Sequence, residues 1–356
     1  MKKLALASLL LTLLFSCSNT TVVQEFSPQA HRYDCQKLTP LIIMIGDGMG
    51  AEHIKVASLY ATGNEQAFVV FDQKKFPIHK MIKTDTIDHQ LTDSAAGGTR
   101  ISTKVRTHEG KLAVDKDNRL LPTVLEEYQR CGFPTGVIST SYLLDATPAS
   151  FFAHVTSRGE AKDILNDLLK TKPLFALGGG KKVSKKQLDL ITQNGFQLVT
   201  NRQDLQMDQI TKPVIGLFTD STMSFESEKT ADEPKLSELV DFALKHLEKV
   251  PGPFFLMIEG GRIDHAAHDN HLQLTVEETI AFMNEVKKVA NWKFLKKKKY
   301  QLVVTADHET GGLKVKESSG KGKLPKVSFS TYFHSQADID YWSNSEEPYN
   351  PNISEW

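Results

Sequence analysis

The chain has 356 residues, enough for one large α/β domain or two smaller ones, with 40% hydrophobic and 24% charged residues, the balance of a soluble globular protein with a sizeable core. Lysine plus arginine equals aspartate plus glutamate, 43 against 43. No overall field therefore draws the protein to nucleic acid or to an anionic surface.

The first residues, MKKLALASLLLTLLFSC, join a Lys-Lys start to an apolar stretch over 4–15, too short to span a bilayer as a permanent helix. Residues 1–16 read as a secretory signal. Leu-Phe-Ser-Cys at 14–17 resembles the lipobox of bacterial lipoproteins, where cleavage leaves a lipid-modified cysteine first. On that resemblance the protein is exported to the periplasm and anchored to a membrane through Cys17, with 17–38 as a polar tether. Free cysteines are scarce in exported chains. Cys35 and Cys131 each lie a few residues before an apolar strand candidate, LIIMI (41–45) and GVIST (136–140). If those strands are parallel neighbours, the loops feeding them lie side by side and a disulfide is geometrically allowed; two free thiols are the alternative.

From residue 41 onward, strand-like runs alternate with helical patterns. LIIMI precedes a helical stretch over 51–61. PTVLEEYQRCG opens with Pro122 and closes with Gly132, the punctuation of a helix. GVIST follows, then LFALGGG (174–180), VIGLF (214–218), FFLMIE (254–259) and QLVVTA (301–306), with helices such as KLSELVDFALKHLEKV between them. Near-continuous apolar strands alternating with helices predict an α/β fold: a single domain with a mostly parallel central sheet and helices on both faces. Residues 180–234 are more polar and are expected to form a peripheral excursion. KKKK at 296–299 reads as a solvated turn before the last of these strands.

What ends the strands is more informative. LIIMI runs into Gly46-Asp47-Gly48, GVIST is followed by Asp145-Ala146-Thr147, FFLMI by Glu259-Gly260-Gly261, and QLVVTA by Asp307-His308. Ligands of open α/β sheets sit outside the carboxyl ends of the strands, so four strands deliver acids to one rim. One such acid is commonly a turn or helix-cap residue. Four converging acids repel one another unless cations sit among them. In EGGRIDHAAHDNH (259–271), Asp264 and His268 stand at i and i+4 and can hold one ion from one helix face, whereas His265 and Asp269 point elsewhere. Mixed histidine and carboxylate ligands suit zinc; Asp, Glu and Thr oxygens suit magnesium.

LTDSAAGGT (91–99) places Ser94 after Asp93 and before five small residues, which leave room beside the serine. The stretch reads as a loop entering a helix, with Ser94 in the first turn among free backbone N–H groups. The chain has no G-x-S-x-G elbow, and a metal ion can activate the hydroxyl in place of a histidine base. A plain N-cap at Asp93 or Ser94 is the competing reading.

These residues carry a family resemblance. LIIMIGDGMG, TDSAAGGT, DATPASFFAHVTSR, EGGRIDHAAH, VTADHETGG and the histidine of STYFHS resemble, in order, motifs of the alkaline phosphatases, from about residue 41 to His334. The resemblance implies a three-layer catalytic domain over 39–334 that hydrolyses small phosphomonoesters. It implies that Ser94 is the nucleophile, forming a phosphoseryl intermediate, and that Arg158 clamps the phosphate. It implies two zinc ions, one held by Asp47, Asp307 and His308 and one by Asp264, His268 and His334. A magnesium ion would be held by Asp145, Thr147 and Glu259, with Asp47 bridging. Zinc on one side and a phosphoryl group on the other would fill the room beside Ser94. Asp93 would shape the turn and orient Arg158, and His265 would stand near the magnesium site. Many members are homodimers, although no self-complementary patch shows that in this sequence.

One departure stands out. After His334, where the family continues with another apolar strand, the chain reads SQADIDYWSNSEEPYNPNISEW, with several acids and two prolines. Residues 335–356 are therefore expected to form an atypical tail outside the core, leaving His334 poorly held. That motivates two competing readings: a phosphodiesterase or phosphonate-acting relative on the same two-metal core, and a non-catalytic metal- or phosphate-binding lipoprotein.

Overall fold

The computed structural model describes residues 25–67, 75–180, 184–295 and 299–345. The signal over 1–16, the proposed anchor at Cys17, the end of the tail and most of the KKKK run lie outside the described residues. All six apolar runs singled out in the sequence become strands: β1 (Leu41–Gly46), β3 (Thr135–Tyr142), β4 (Phe175–Gly179), β6 (Val214–Leu217), β7 (Phe255–Gly260) and β8 (Gln301–Thr305). They share one nine-stranded sheet with β2 (Ile78–Ile82), β5 (Gln197–Val199) and β13 (Ile339–Ser343), in the order β2-β13-β8-β1-β7-β3-β4-β6-β5. The seven strands from β8 to β5 run parallel, and β13 is antiparallel to both of its neighbours.

Every residue of β1 and β7 is buried, as expected where helices cover both faces of a parallel sheet. Alternation along β7 separates the two layers. Phe254, just before β7, packs on Trp292, and a Cβ at Gly260 would meet Phe282 of α9 (Leu272–Ala290). Phe255 points the other way, against Tyr128 of α3 (Val124–Arg130) and Phe151. Each such side chain taken out of water contributes about 1.5–3 kcal/mol. Glu259 has the parity of Phe255. It therefore faces the layer that holds α2 (Ser94–Thr103) and α4 (Ala146–Ala149).

Four expectations are corrected. The stretch 180–234 is not wholly peripheral: it holds α6 (Lys185–Gln193), and its β5 and β6 complete one edge of the sheet. Residues 25–38 do not form a free tether. Leu120 N–H donates to the Glu25 carbonyl, Arg32 pairs with Glu127, and the Tyr33 N–H donates to Glu127 at 3.1 Å. Cys35 and Cys131 are disulfide-bonded with a Cα–Cα distance of 5.4 Å, yet β1 and β3 are not neighbours, because β7 lies between them. Cys35 reaches Cys131, the residue that ends α3, as the strap crosses that helix.

The tail departs furthest from expectation. Residues 339–343 are entirely buried as β13, wedged between β8 and β2. The acid that argued against a core strand, Asp340, meets His79 Nε2 at 2.7 Å, and Trp342 stacks on the same imidazole. Its partner comes from β2, whose middle three residues are exposed while Ile78 and Ile82 are buried at its ends.

Candidate active site and metal centre

The four acids come from four adjacent strands. Asp307 lies two residues beyond β8, Asp47 directly follows β1, Glu259 is the penultimate residue of β7, and Asp145 lies three residues beyond β3. Side-by-side parallel pairing brings their ends to one rim, because β1 runs in register with both β7 and β8.

Ser94 is the first residue of α2 and is buried. Asp93 is the N-cap, its Oδ1 accepting from the N–H of Ala96 at 3.0 Å and of Gly110 at 3.2 Å. Ser94 Oγ lies 3.2 Å from His308 Nε2. The small residues after it admit protein rather than ligand. A Cβ on Gly97 would come within 2.6 Å of the Asp307 carbonyl oxygen, and one on Gly98 within 2.6 Å of Ser150 Oγ. Gly97 lets α2 press against the strand end that carries Asp307 and His308, and Gly98 lets it press against Ser150 and Thr147.

Three imidazoles are oriented alike. His334 Nδ1 lies 2.7 Å from the Thr92 carbonyl and His268 Nδ1 lies 2.6 Å from the Tyr332 carbonyl. A carbonyl only accepts, so each Nδ1 carries the proton and each neutral ring keeps its lone pair on Nε2. His308 Nδ1 meets Thr310 Oγ1 at 3.2 Å, while that hydroxyl gives its single proton to Asp264 Oδ1. His308 therefore also turns an Nε2 lone pair inward. Asp264 Oδ1 takes the Thr310 proton, so the carboxylate is an acceptor there.

Two groups of ligand atoms result. Asp47, Asp307 and His308 each offer one atom within 4.8 Å of the others, and so do Asp264, His308 and His334. His268 Nε2 adjoins the second group, 3.3 Å from Asp264 Oδ2 and 3.2 Å from His334 Nε2. The surroundings fit cations. Asp47 Oδ1 and both oxygens of Glu259 are buried with no hydrogen-bond partner among the described residues. Burial, with Asp307, Asp264, Glu259 and Asp145 close by, drives the Asp47 pKa well above the carboxylate range. Burial also pushes Glu259 up to about 8. So many acids stay ionised at one buried rim only beside compensating positive charge.

A model of the alkaline phosphatase family matches residues 39–331. The chain belongs to the alkaline phosphatase family. Alkaline phosphatase 4 of Bacillus subtilis (strain 168) is 34% identical over 312 residues, which cover 82% of this chain. This chain spans 66% of that relative's length. Among solved structures, the cold-active alkaline phosphatase from the psychrophile Shewanella sp. superposes with a TM-score of 0.76 at 25% identity, covering 86% of this chain and 93% of that one. A mutant TAB5 alkaline phosphatase with Mg bound in its M3 site gives a TM-score of 0.71 at 26% identity, covering 86% and 91%.

In this chain the remaining residues are less closely gathered. Asp145 and Glu259 join neither of the two groups among the described residues. Asp145 is occupied elsewhere: Oδ1 takes Arg158 Nη2 at 2.9 Å and the Ala146 N–H at 2.8 Å, and Oδ2 takes the Ser141 hydroxyl at 2.7 Å. Thr147 Oγ1 donates to Asp307 Oδ2 at 3.3 Å. Arg158 spans two acids, with Nη1 on Asp93 Oδ2 at 3.1 Å, and these partners outweigh its burial and raise its pKa. His265 differs from the other histidines. Its Nδ1 accepts from Arg262 Nη1 at 2.8 Å, so its proton lies on Nε2.

Sequence reasoning missed Thr310, which joins Asp264 to His308, and the Thr92 and Tyr332 carbonyls that set two imidazoles. A backbone carbonyl leaves no residue-type signal. Thr310 follows His308 by two and lies within VTADHETGG, but its other partner, Asp264, is visible only once α8 (Arg262–His268) is placed beside it.

Proposed function

We propose that this chain hydrolyses phosphomonoesters in two displacements at Ser94 and releases inorganic phosphate. One observation carries the reading: Ser94 Oγ, at a helix N-terminus, lies 3.2 Å from His308 Nε2, and His308 belongs to both carboxylate–histidine groups. Asp47, Asp307 and His308 would hold one zinc ion, and Asp264, His268 and His334 a second. Glu259, Asp145 and Thr147, with Asp47 shared, would hold magnesium, as the Mg-containing TAB5 relative suggests. When bound, such cations stabilise entering and leaving oxygens and lower the pKa of a hydroxyl or of water.

The chain's own groups do the rest. Ser94 Oγ gives up its proton to solvent and attacks phosphorus as the bond to the leaving alkoxide breaks, and the alkoxide takes a proton from solvent and departs as the alcohol. Water then attacks the phosphoseryl group, breaks the Oγ–P bond and frees phosphate and the serine. Two in-line displacements retain configuration at phosphorus. The guanidinium of Arg158, aimed by Asp93 and Asp145, matches two phosphoryl oxygens in a way a lysine would not. The N–H groups of the first turn of α2 add positive potential where charge gathers.

The tail motivated the non-catalytic alternative, and β13 removes that motive. The diesterase alternative is separated by rate: the metal-loaded chain is expected to turn over a nitrophenyl monoester far faster than its diester. Equal rates, or a preference for the diester, would overturn the proposal. The signal-like start further supports an exported lipoprotein anchored at Cys17. Labelled fatty acid incorporated into wild type but not into Cys17→Ser is the corresponding test. Association into homodimers is proposed on the family's habit alone, and sedimentation tests it.

A further inference from the structure

Glu309 stands between His308 and Thr310, and nothing above gives it a task. Its side chain is buried and collects three donors on two oxygens. Oε1 accepts from the Leu313 N–H at 3.1 Å. Oε2 accepts from the Gly312 N–H at 3.1 Å and from the Ser335 hydroxyl. Its Cγ lies 2.4 Å from where a Cβ on Gly50 would stand, so the loop after Asp47 packs directly against it. Three ligand-bearing segments meet at this one carboxylate.

The segment that needs it most carries His334. That residue sits in β12 (His334–Ser335), which pairs antiparallel with β9 (Glu309–Thr310), His334 opposite Thr310 and Ser335 opposite Glu309. A ladder of two residues per strand frays on its own. The Thr92 carbonyl sets the tilt of the His334 ring, and stacking on His308 sets its face, with centroids 3.6 Å apart. The bond from Ser335 to Glu309 fixes how far β12 slides along β9. An amide at 309 could not replace the carboxylate, because its N–H₂ would face a donor.

We propose that Glu309 is a positioning residue that seats His334 in the metal centre through Ser335. The inference rests on the metal-centre reading above, and its test separates the two. Ser335→Ala cuts the link from β12 to Glu309 and also frees the exposed Ala337 N–H that Ser335 Oγ accepts, while Glu309→Gln disturbs the turn at 312–313 as well. Zinc affinity of the full chain is measured by competition with a chelating dye, and the unfolding temperature is measured on the metal-stripped protein. The expected result is that Ser335→Ala weakens zinc binding at the Asp264–His268–His334 group about 10–100-fold. The Asp47–Asp307–His308 group keeps its affinity, the metal-stripped protein unfolds as wild type does, and excess zinc restores monoester turnover. Glu309→Gln repeats the pattern more strongly. Wild-type affinity in both variants overturns the proposal. So does equal weakening at both groups with a lowered unfolding temperature, which would mark Glu309 as a fold residue. A wild-type chain that binds zinc at neither group overturns the metal-centre reading itself.

Discussion

His268 and His334 face each other Nε2 to Nε2 at 3.2 Å while each keeps its Nδ1 against a backbone carbonyl. Two neutral rings so oriented oppose lone pair to lone pair, and Asp264 Oδ2 adds a third acceptor 3.3 Å from His268. A cation among them turns that repulsion into coordination. His334→Ala is therefore expected to bind one zinc fewer per chain and to lose turnover on the order of 100-fold or more. Metal content and monoester turnover on the same sample check it. Full zinc content in the variant would sink the assignment.

Ser94 and Asp93 are adjacent and should fail differently. Ser94→Ala is expected to keep its metals and lose turnover by on the order of 10³-fold or more, since the attacking hydroxyl is gone. Asp93→Asn keeps an oxygen to accept from Ala96 and Gly110 but offers Arg158 no charge. Its turnover should fall about tenfold at nearly unchanged stability, whereas Asp93→Ala should also lose about 1 kcal/mol with the helix cap. Urea unfolding beside kcat and KM separates the cases. Equal stability losses in the two variants would contradict the cap.

Gly97→Ala tests what the room beside the serine is for. The added methyl would meet the Asp307 backbone at 2.6 Å, and backbone cannot rotate aside. A cost of about 1–3 kcal/mol is expected, with a fall in zinc affinity because Asp307 itself must move. Gly98→Ala meets the end of the Ser150 side chain and, at 3.3 Å, Thr147 Cα, so it should be the milder change. The reverse order, read from unfolding curves and metal titration, would contradict the packing.

The central strands and their terminal acids were legible because burial on both faces forces near-continuous apolar runs, and parallel pairing brings their ends together. The i,i+4 pair of Asp264 and His268 was legible for the same local reason. What could not be read depended on distant partners. β13 is five residues with an acid inside it, acceptable only because His79 and the two flanking strands are there. The glycines after Ser94 announced a close approach without saying that the Asp307 backbone makes it. The cysteines suggested a pairing through neighbouring strands, and the structure brings them together across α3 instead.

That disulfide closes a separation of 96 residues between the N-terminal strap and the end of α3. Loop closure of that size, in the chain-entropy view, is worth up to about 4–5 kcal/mol, and measured cases commonly give about 2–4 kcal/mol. Cys35→Ser and Cys131→Ser should each lose about that much, and the double variant no more than either single. Additive losses in the double variant, by urea unfolding without reductant, would mean that the two residues act separately.

Glu278 supplies a pH dependence apart from the metal ligands. Burial pushes its pKa up to about 7, with the Glu226 N–H and Lys229 offsetting only part of the effect. The unfolded chain titrates the same group near about 4.3. The folded state thus holds the proton more tightly. The stabilisation is complete below the unfolded value and is lost as pH rises through about 7. Glu278→Gln keeps an oxygen for the Glu226 N–H and has no proton to lose. The difference in stability between variant and wild type should therefore shift in the variant's favour between pH 5 and pH 8, by on the order of 3 kcal/mol. Urea unfolding of both metal-stripped proteins at the two pH values measures it, and other titrating groups cancel in the difference. A difference independent of pH would mean that Glu278 is charged in both states, which its burial beside Glu226 opposes.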